Sequence, residues 1–221
     1  MNVFLVRHAE SADSRDNWPT PQSPLSDFGR QQSQALSSLS RFRLIDTVMS
    51  SKWTRAKETA RIVAKKLGKP LELIEGIHER EQSKKIYGSK FSGKISQEYI
   101  AGSTANLDNL DWRFSRGEES LREVSQRAAI FKKHIEKEHL SQNLLVISHD
   151  VFIRSFACIC ILGSNYQDET FNKVFRSLYL TNTGVSLLVF SEKSKRWKLW
   201  YWNDFSHFKN IKIGKKAVSG N

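Results

Sequence analysis

The sequence predicts an α/β fold: a three-layer sandwich with a mostly parallel central sheet and helices on both faces. Three observations carry this. Short apolar runs rich in β-branched and aromatic residues alternate with longer segments whose apolar residues step by three and four. The connections between them carry Pro, Gly, Ser and Asp, which punctuate elements. The polar residues that end the apolar runs all fall at carboxyl ends, where parallel α/β folds gather their chemistry.

The elements follow in order. VFLV (3–6) reads as a strand that stops at Arg7-His8. The loop SADSRDNWPTPQSP leads to a helix in LSDFGRQQSQALSSL, with Ser26 as its N-cap. DTVMSS (46–51) is a short strand. WTRAKETARIVAKKL is a helix, because Trp53, Ala56, Ala60, Val63 and Leu67 share one face, and Gly68 and Pro70 stop it. LELIEGI is a third strand. Residues 80–116 show no clean period and read as an insertion covering a site as a lid, with a short helix near 96–101. A long helix runs from Glu118 to about His139, its stripe set by Leu121, Val124, Ala128, Phe131 and Ile135. NLLVISH (143–149) is an apolar strand ending in His149, and VFIRSFACICILG is a buried helix. SLYLTNTGVSLLVFSE and RWKLWYW supply two or three further strands. This makes one domain over 1–206, with the insertion at about 80–116, and a mobile basic tail over 207–221.

Composition narrows the class. Apolar residues are 39%, enough for a core, and no apolar run reaches the roughly 18 residues of a membrane helix. The amino-terminal segment has neither the charged stretch nor the cleavage site of a secretory leader, so the expected location is cytoplasmic. Cys158 and Cys160, two apart in an apolar stretch, read as buried hydrophobes; a disulfide between them would be strained. Lys and Arg number 35 against 23 Asp and Glu, a net charge of +12 that attracts anions. Part of that excess lies in KWTRAKETARIVAKKLGK (52–69), seven bases against one acid.

The predicted topology brings the interruptions to one edge: Arg7-His8 after strand one, Ser51 and Arg55 after strand two, Glu79 after strand three, His149 after strand four. Histidine can act as a neutral nucleophile near pH 7. Arginine forks bind phosphate oxygens and keep nearby imidazoles unprotonated by charge repulsion. A helix starting after His149 would aim backbone N–H groups at an anion. A glutamate in a closed pocket would hold its proton for a leaving alkoxide. Together these suit phosphoryl transfer.

The sequence resembles the histidine phosphatase superfamily, the phosphoglycerate-mutase-like group. Six segments carry the resemblance in the family's order. VFLVRHAES matches the strand and R-H-G/A-E, LSDFGRQQSQAL resembles L-T-x-x-G-x-x-Q-A, and SSKWTRAKETA resembles S-x-x-x-R-A-x-x-T-A. IHER resembles the segment with the acid glutamate, GEESLREVSQR resembles G-G-E-S-L-x-x-V-x-x-R, and VISHDVFIR resembles V-x-S-H-G-x-x-I-R. The match spans about residues 3 to 190. It implies a phosphoglycerate-mutase-like fold and a histidine acid-type phosphatase, a phosphoric monoester hydrolase working through phosphohistidine without metal or cofactor. His8 would be the nucleophile, Arg7 and Arg55 the phosphate clamp, and His149 a hydrogen-bonding partner of the transferred group. Glu79 would be the proton donor and later the base, with Glu81 the weaker candidate.

Two positions depart from the family. An asparagine that touches phosphate about six residues after the nucleophile is replaced by Ser14, with Asn17 the nearest asparagine. The residue after the second histidine, commonly glycine, is Asp150, which would cap the helix or repel an anionic substrate. Arg113 and Arg116 could bind a second anionic group or face water. Lys84, Lys85, Lys90 and Lys94 could line the pocket mouth or do the same. His78, His134, His139 and His207 read as surface or structural. The expected partner is a small phosphorylated substrate, not nucleic acid and not a membrane, and a homodimer stays open. Two other functions compete. A mutase would use the same site with water excluded, and 80–116 is shorter than the mutase's lid sequences. A non-catalytic basic module would hold phosphoprotein or nucleic acid.

Overall fold

The computed structural model describes residues 1–163 and 166–210. Six strands form one sheet: β1 (Asn2–Arg7), β2 (Thr47–Ser51), β3 (Leu71–Ile74), β4 (Asn143–Ser148), β5 (Val185–Ser191) and β6 (Arg196–Asp204). Their order is β3-β2-β4-β1-β5-β6. The first four are parallel to their neighbours, while β5 and β6 are added antiparallel. Strand alternation divides the core into two layers. Val3, Leu5, Met49 and Val146 face α4 (Leu121–Glu138), α5 (Asp150–Leu162) and α6 (Asp168–Ser177). Phe4, Val6, Val48 and Ile147 face α1 (Asp27–Ser37) and α2 (Thr54–Leu67). Burial on both sides of the sheet is why these strands are apolar throughout.

Local chemistry sets the helix ends. Ser26 Oγ accepts the Gly29 N–H at 2.9 Å and starts α1. Ser120 and Glu123 form a reciprocal capping box at α4. Gly68 ends α2 at φ +64°, a conformation that glycine adopts without strain. The expected stripes on α2 and α4 face inward as read: Ala56, Ala60 and Val63 are buried on one, Val124, Ala128, Phe131 and Ile135 on the other.

The structure differs from expectation in several elements. The short helix near 96–101 is a longer one, α3 (Lys94–Ala105). SLYLTN is not a strand: its backbone is engaged by Arg7, whose Nη1 donates to Leu180 O at 2.8 Å, instead of by a ladder. Before it stands α6, which the strand reading passed over. Packed chain continues past residue 206, with a 3-10 turn over Ser206–Asn210 and Phe208 buried. Of the expected tail, residues 211–221 lie outside the described residues. Among the described residues no helix is long and apolar enough to cross a membrane.

Candidate active site

Parallel pairing does the assembling. Arg7 sits opposite Ser148 in the β1–β4 register, so the residues that follow, His8 and His149, leave the sheet side by side. The His8 N–H donates to Ser148 O at 2.8 Å, and the two imidazole centroids stand 4.9 Å apart. Both rings are buried. Ser51, the last residue of β2, places its Oγ 3.0 Å from His149 Nε2. Arg55, in the first turn of α2, donates from Nε to His8 Nε2 at 2.9 Å and from Nη1 to Thr20 O at 2.8 Å.

These bonds assign the protonation of His8. Its Nδ1 lies 2.7 Å from Ala9 O, and a carbonyl only accepts, so Nδ1 carries the hydrogen. Nε2 then holds the lone pair and accepts from Arg55. Burial, then the charges of Arg55 and Arg7, hold the His8 pKa well below the usual imidazole value. Burial, then Arg55 and His8, do the same to His149. Burial also brings Arg55 down to about 10, which leaves it a cation at neutral pH.

Glu79 lies in the loop after β3. Its Oε1 accepts two backbone N–H groups at 3.0 Å, from Arg80 and from Val151 in the first turn of α5. The first-turn donor expected to face an anion is thus engaged by this carboxylate. Arg127 of α4 holds the loop, donating to Gly76 O and His78 O at 2.6 and 2.9 Å while paired with Glu119. Burial, then the charge of Asp150, raises the Glu79 pKa above the ordinary carboxylate value. Arg7 donates to Leu180 O, and its charge acts on both histidines and on Glu79.

The other candidates lie differently. Ser14 donates its hydroxyl to Ser11 O at 2.8 Å. Asn17 bridges to Lys90, and its Oδ1 is buried without a partner. Asp150 does not cap α5: the N-cap is His149, and the Asp150 carboxylate pairs with Arg154 at 2.6 Å. Glu81 is exposed and uses its backbone N–H on Glu119. Arg113 pairs with Glu123, Arg116 is exposed, and Lys84, Lys85, Lys90 and Lys94 all face outward.

Several residues at the cluster escaped the sequence reading. Trp53 stacks on His78 at 5.5 Å, meets His149 edge-on at 5.1 Å and lies under the Arg55 guanidinium at 5.0 Å. Its spacing in the sequence marks it only as one more apolar residue of the α2 stripe. Asn182 donates to His8 O at 2.8 Å, and Thr59 Oγ1 accepts the Ala9 N–H at 3.1 Å. The insertion is fastened from above. Trp18 contacts Phe91 and Tyr99, donates Nε1–H to Ser96, and lies two residues from Thr20, the acceptor of Arg55.

Known proteins resemble this chain over most of its length. The family model described as histidine phosphatase superfamily (branch 1) matches residues 3–203. Among curated relatives, phosphoglycerate mutase-like protein 4 of Arabidopsis thaliana is 27% identical over 99% of this chain and 91% of its own. Phosphoserine phosphatase 1 of Hydrogenobacter thermophilus is 29% identical over 74% of this chain and 77% of its own. The adenosylcobalamin/alpha-ribazole phosphatase of Escherichia coli is 26% identical over 67% and 73%. Among solved structures, mycobacterial hydrolase 1 superposes with a TM-score of 0.78 at 17% identity, covering 92% of this chain and 98% of that one. The alpha-ribazole phosphatase of Shigella flexneri gives 0.74 at 21%, covering 92% and 96%.

Proposed function

The chain belongs to the histidine phosphatase superfamily, and on that premise we propose that it hydrolyses a small phosphomonoester through a phosphohistidine formed on His8. One observation carries the reading: a buried imidazole whose Nε2 accepts the Arg55 Nε–H at 2.9 Å and whose ring stands 4.9 Å from a second imidazole. The substrate phosphate would displace the Arg55 Nε–H from that lone pair and take the donor onto its own oxygens, with Arg7 beside it. Nε2 then attacks phosphorus. The N–P bond forms as the P–O bond to the leaving group breaks, and Glu79 gives its proton to the departing oxygen. In the second half, water adds to phosphorus, its proton goes to Glu79, the N–P bond breaks, and phosphate leaves. Charge is stabilised throughout by the arginines and His149. Two relatives carry phosphatase in their names, which supports hydrolysis; the unpaired thiols of Cys158 and Cys160 fit a cytoplasmic enzyme.

The mutase alternative shares the first half and replaces water by a second acceptor. Incubation with phosphoglycerates separates the two, since hydrolysis releases phosphate and a mutase returns an isomer. The reading as a whole is tested on His8→Ala with an aryl phosphate. We expect turnover to fall about a thousandfold or more. Rapid acid-free quenching should trap a phosphoramidate in the natural enzyme and none in the variant. Wild-type turnover by the variant would end the assignment.

A further inference from the structure

Two acidic residues lie at the amino-terminal end of α5, and their partners differ. Glu79 reaches it from the loop after β3 and is held there by the Val151 and Arg80 N–H groups, both at 3.0 Å. Asp150 is the residue before Val151 and the first of α5. It has a cation of its own, Arg154 at 2.6 Å. That guanidinium is fixed in turn, 4.1 Å over the Phe175 ring of α6. The Asp150 carboxylate is thus held in an ion pair at the start of the helix, with Arg154 one turn on. Glu79 draws its donors from neutral peptide groups, one of them the N–H of the residue that follows Asp150. A negative charge near a carboxyl group favours its protonated form.

We propose that Asp150 is a positioning residue whose fixed negative charge keeps the Glu79 carboxyl protonated, and so sets the upper pH limit for expelling the leaving group. The inference rests on the reading of Glu79 as proton donor. Other charges face Glu79 as well. Arg55 from α2 and Arg7 from β1 favour its ionised form, and Tyr87 of the insertion lies within electrostatic reach. Arg127 of α4 reaches the Glu79 carbonyl at 3.2 Å but is paired with Glu119. Burial and Asp150 push against the Arg80 N–H bond and the two arginines, and the net effect is upward. Asp150 is the acidic member of that set, so its removal leaves the arginines unopposed except by burial.

The test is the pH profile of kcat/KM for phenyl phosphate and for p-nitrophenyl phosphate in the natural enzyme, Asp150→Asn, Asp150→Ser and Glu79→Gln. Kcat/KM reports phosphoenzyme formation, the step in which Glu79 must be protonated, so activity falls as pH rises through its pKa. Removing the Asp150 charge should move that fall to lower pH. On the alkaline side, phenyl phosphate should lose on the order of three- to tenfold more in either Asp150 variant than at the plateau. p-Nitrophenyl phosphate, whose leaving group scarcely needs a proton, should lose far less. The substrate's own titration is common to all the enzymes and cancels in the ratio. Glu79→Gln should penalise phenyl phosphate much more than p-nitrophenyl phosphate. If it treats both alike, the donor role falls and this inference with it. If it discriminates but both Asp150 variants keep the natural alkaline limb, the inference alone is overturned. A uniform change in KM at every pH would make Asp150 a repeller of the substrate anion, which also overturns it. Circular dichroism melts of the two variants show whether the helix end is intact.

Discussion

An imidazole attacks only through a nitrogen that carries a lone pair, so the nucleophile depends on whatever takes the other nitrogen's hydrogen. Here that acceptor is the carbonyl of the next residue, Ala9, and the chain carries the tautomer in its own backbone. The charge state is set separately, by burial and by Arg55 and Arg7. This separates two roles of Arg55 that mutation can pull apart. Arg55→Lys keeps the charge but loses the fork that spans His8 Nε2 and Thr20 O. Arg55→Met loses both. His8 must be neutral to attack, and loss of a neighbouring cation lets it take a proton at higher pH. In Arg55→Met the acid limb of kcat/KM should therefore move to higher pH; in Arg55→Lys it should stay, with a loss on the order of a hundredfold from poor positioning. Both are read with p-nitrophenyl phosphate, and identical acid limbs in the two variants would remove Arg55 from control of His8. The sequence exposed the titrating side chains because they interrupt apolar strands. It could not expose Ala9 O, Leu180 O or Thr20 O, since every residue carries a carbonyl and only the folded path selects which ones are used.

The elements hold these residues by a few close approaches. Gly29, in the first turn of α1, is one. A Cβ built there would lie 2.1 Å from Glu10 O, well inside contact distance. Its backbone is ordinary helix, so space rather than conformational freedom demands glycine. Gly29→Ala must push α1 from the segment after His8, at a cost of about 1–3 kcal/mol or more. Ser120→Ala, which opens the α4 capping box without a clash, should cost about 1 kcal/mol. Urea denaturation orders the pair; a Gly29→Ala protein as stable as the natural one would show that α1 has room to move. The same elements show what patterning reveals. α2 and α4 were legible because their stripes repeat over three or more turns, and Gly68 and Pro70 add a stop signal to α2. α6 has its stripe too, Phe171, Val174, Phe175 and Leu178, but over ten residues, and the apolar run that follows resembled strand. The insertion gave no period because its core is a cluster around Trp18, Tyr99 and Trp112, drawn from the loop after β1, from α3 and from the segment after α3.

At the scale of the whole molecule, buried titrating groups tie stability to pH. Burial is the largest cause in each of three histidines held below the usual 6.5: His8, His149 and His207, the last at about 4. A histidine depressed on folding binds fewer protons in the native state than in the unfolded chain. Stability then rises with pH and is lost as pH falls from 6.5 toward the folded value. Glu79 acts in the opposite sense, since its folded pKa lies above 4.5 and its contribution is lost as pH rises through that value. Three groups against one give a net gain between pH 5 and pH 7. The charge of +12 at pH 7 adds to it, because further protonation increases self-repulsion. His207 lets the local effect be separated from the global one. It lies in the terminal 3-10 turn, bonded to Thr183 Oγ1 at 3.1 Å, and takes no part in the proposed reaction. His207→Gln should keep a neutral partner for that hydroxyl and show a smaller rise in urea midpoint from pH 5 to pH 7 than the natural protein. An unchanged rise would assign the pH dependence to the net charge and not to the buried rings.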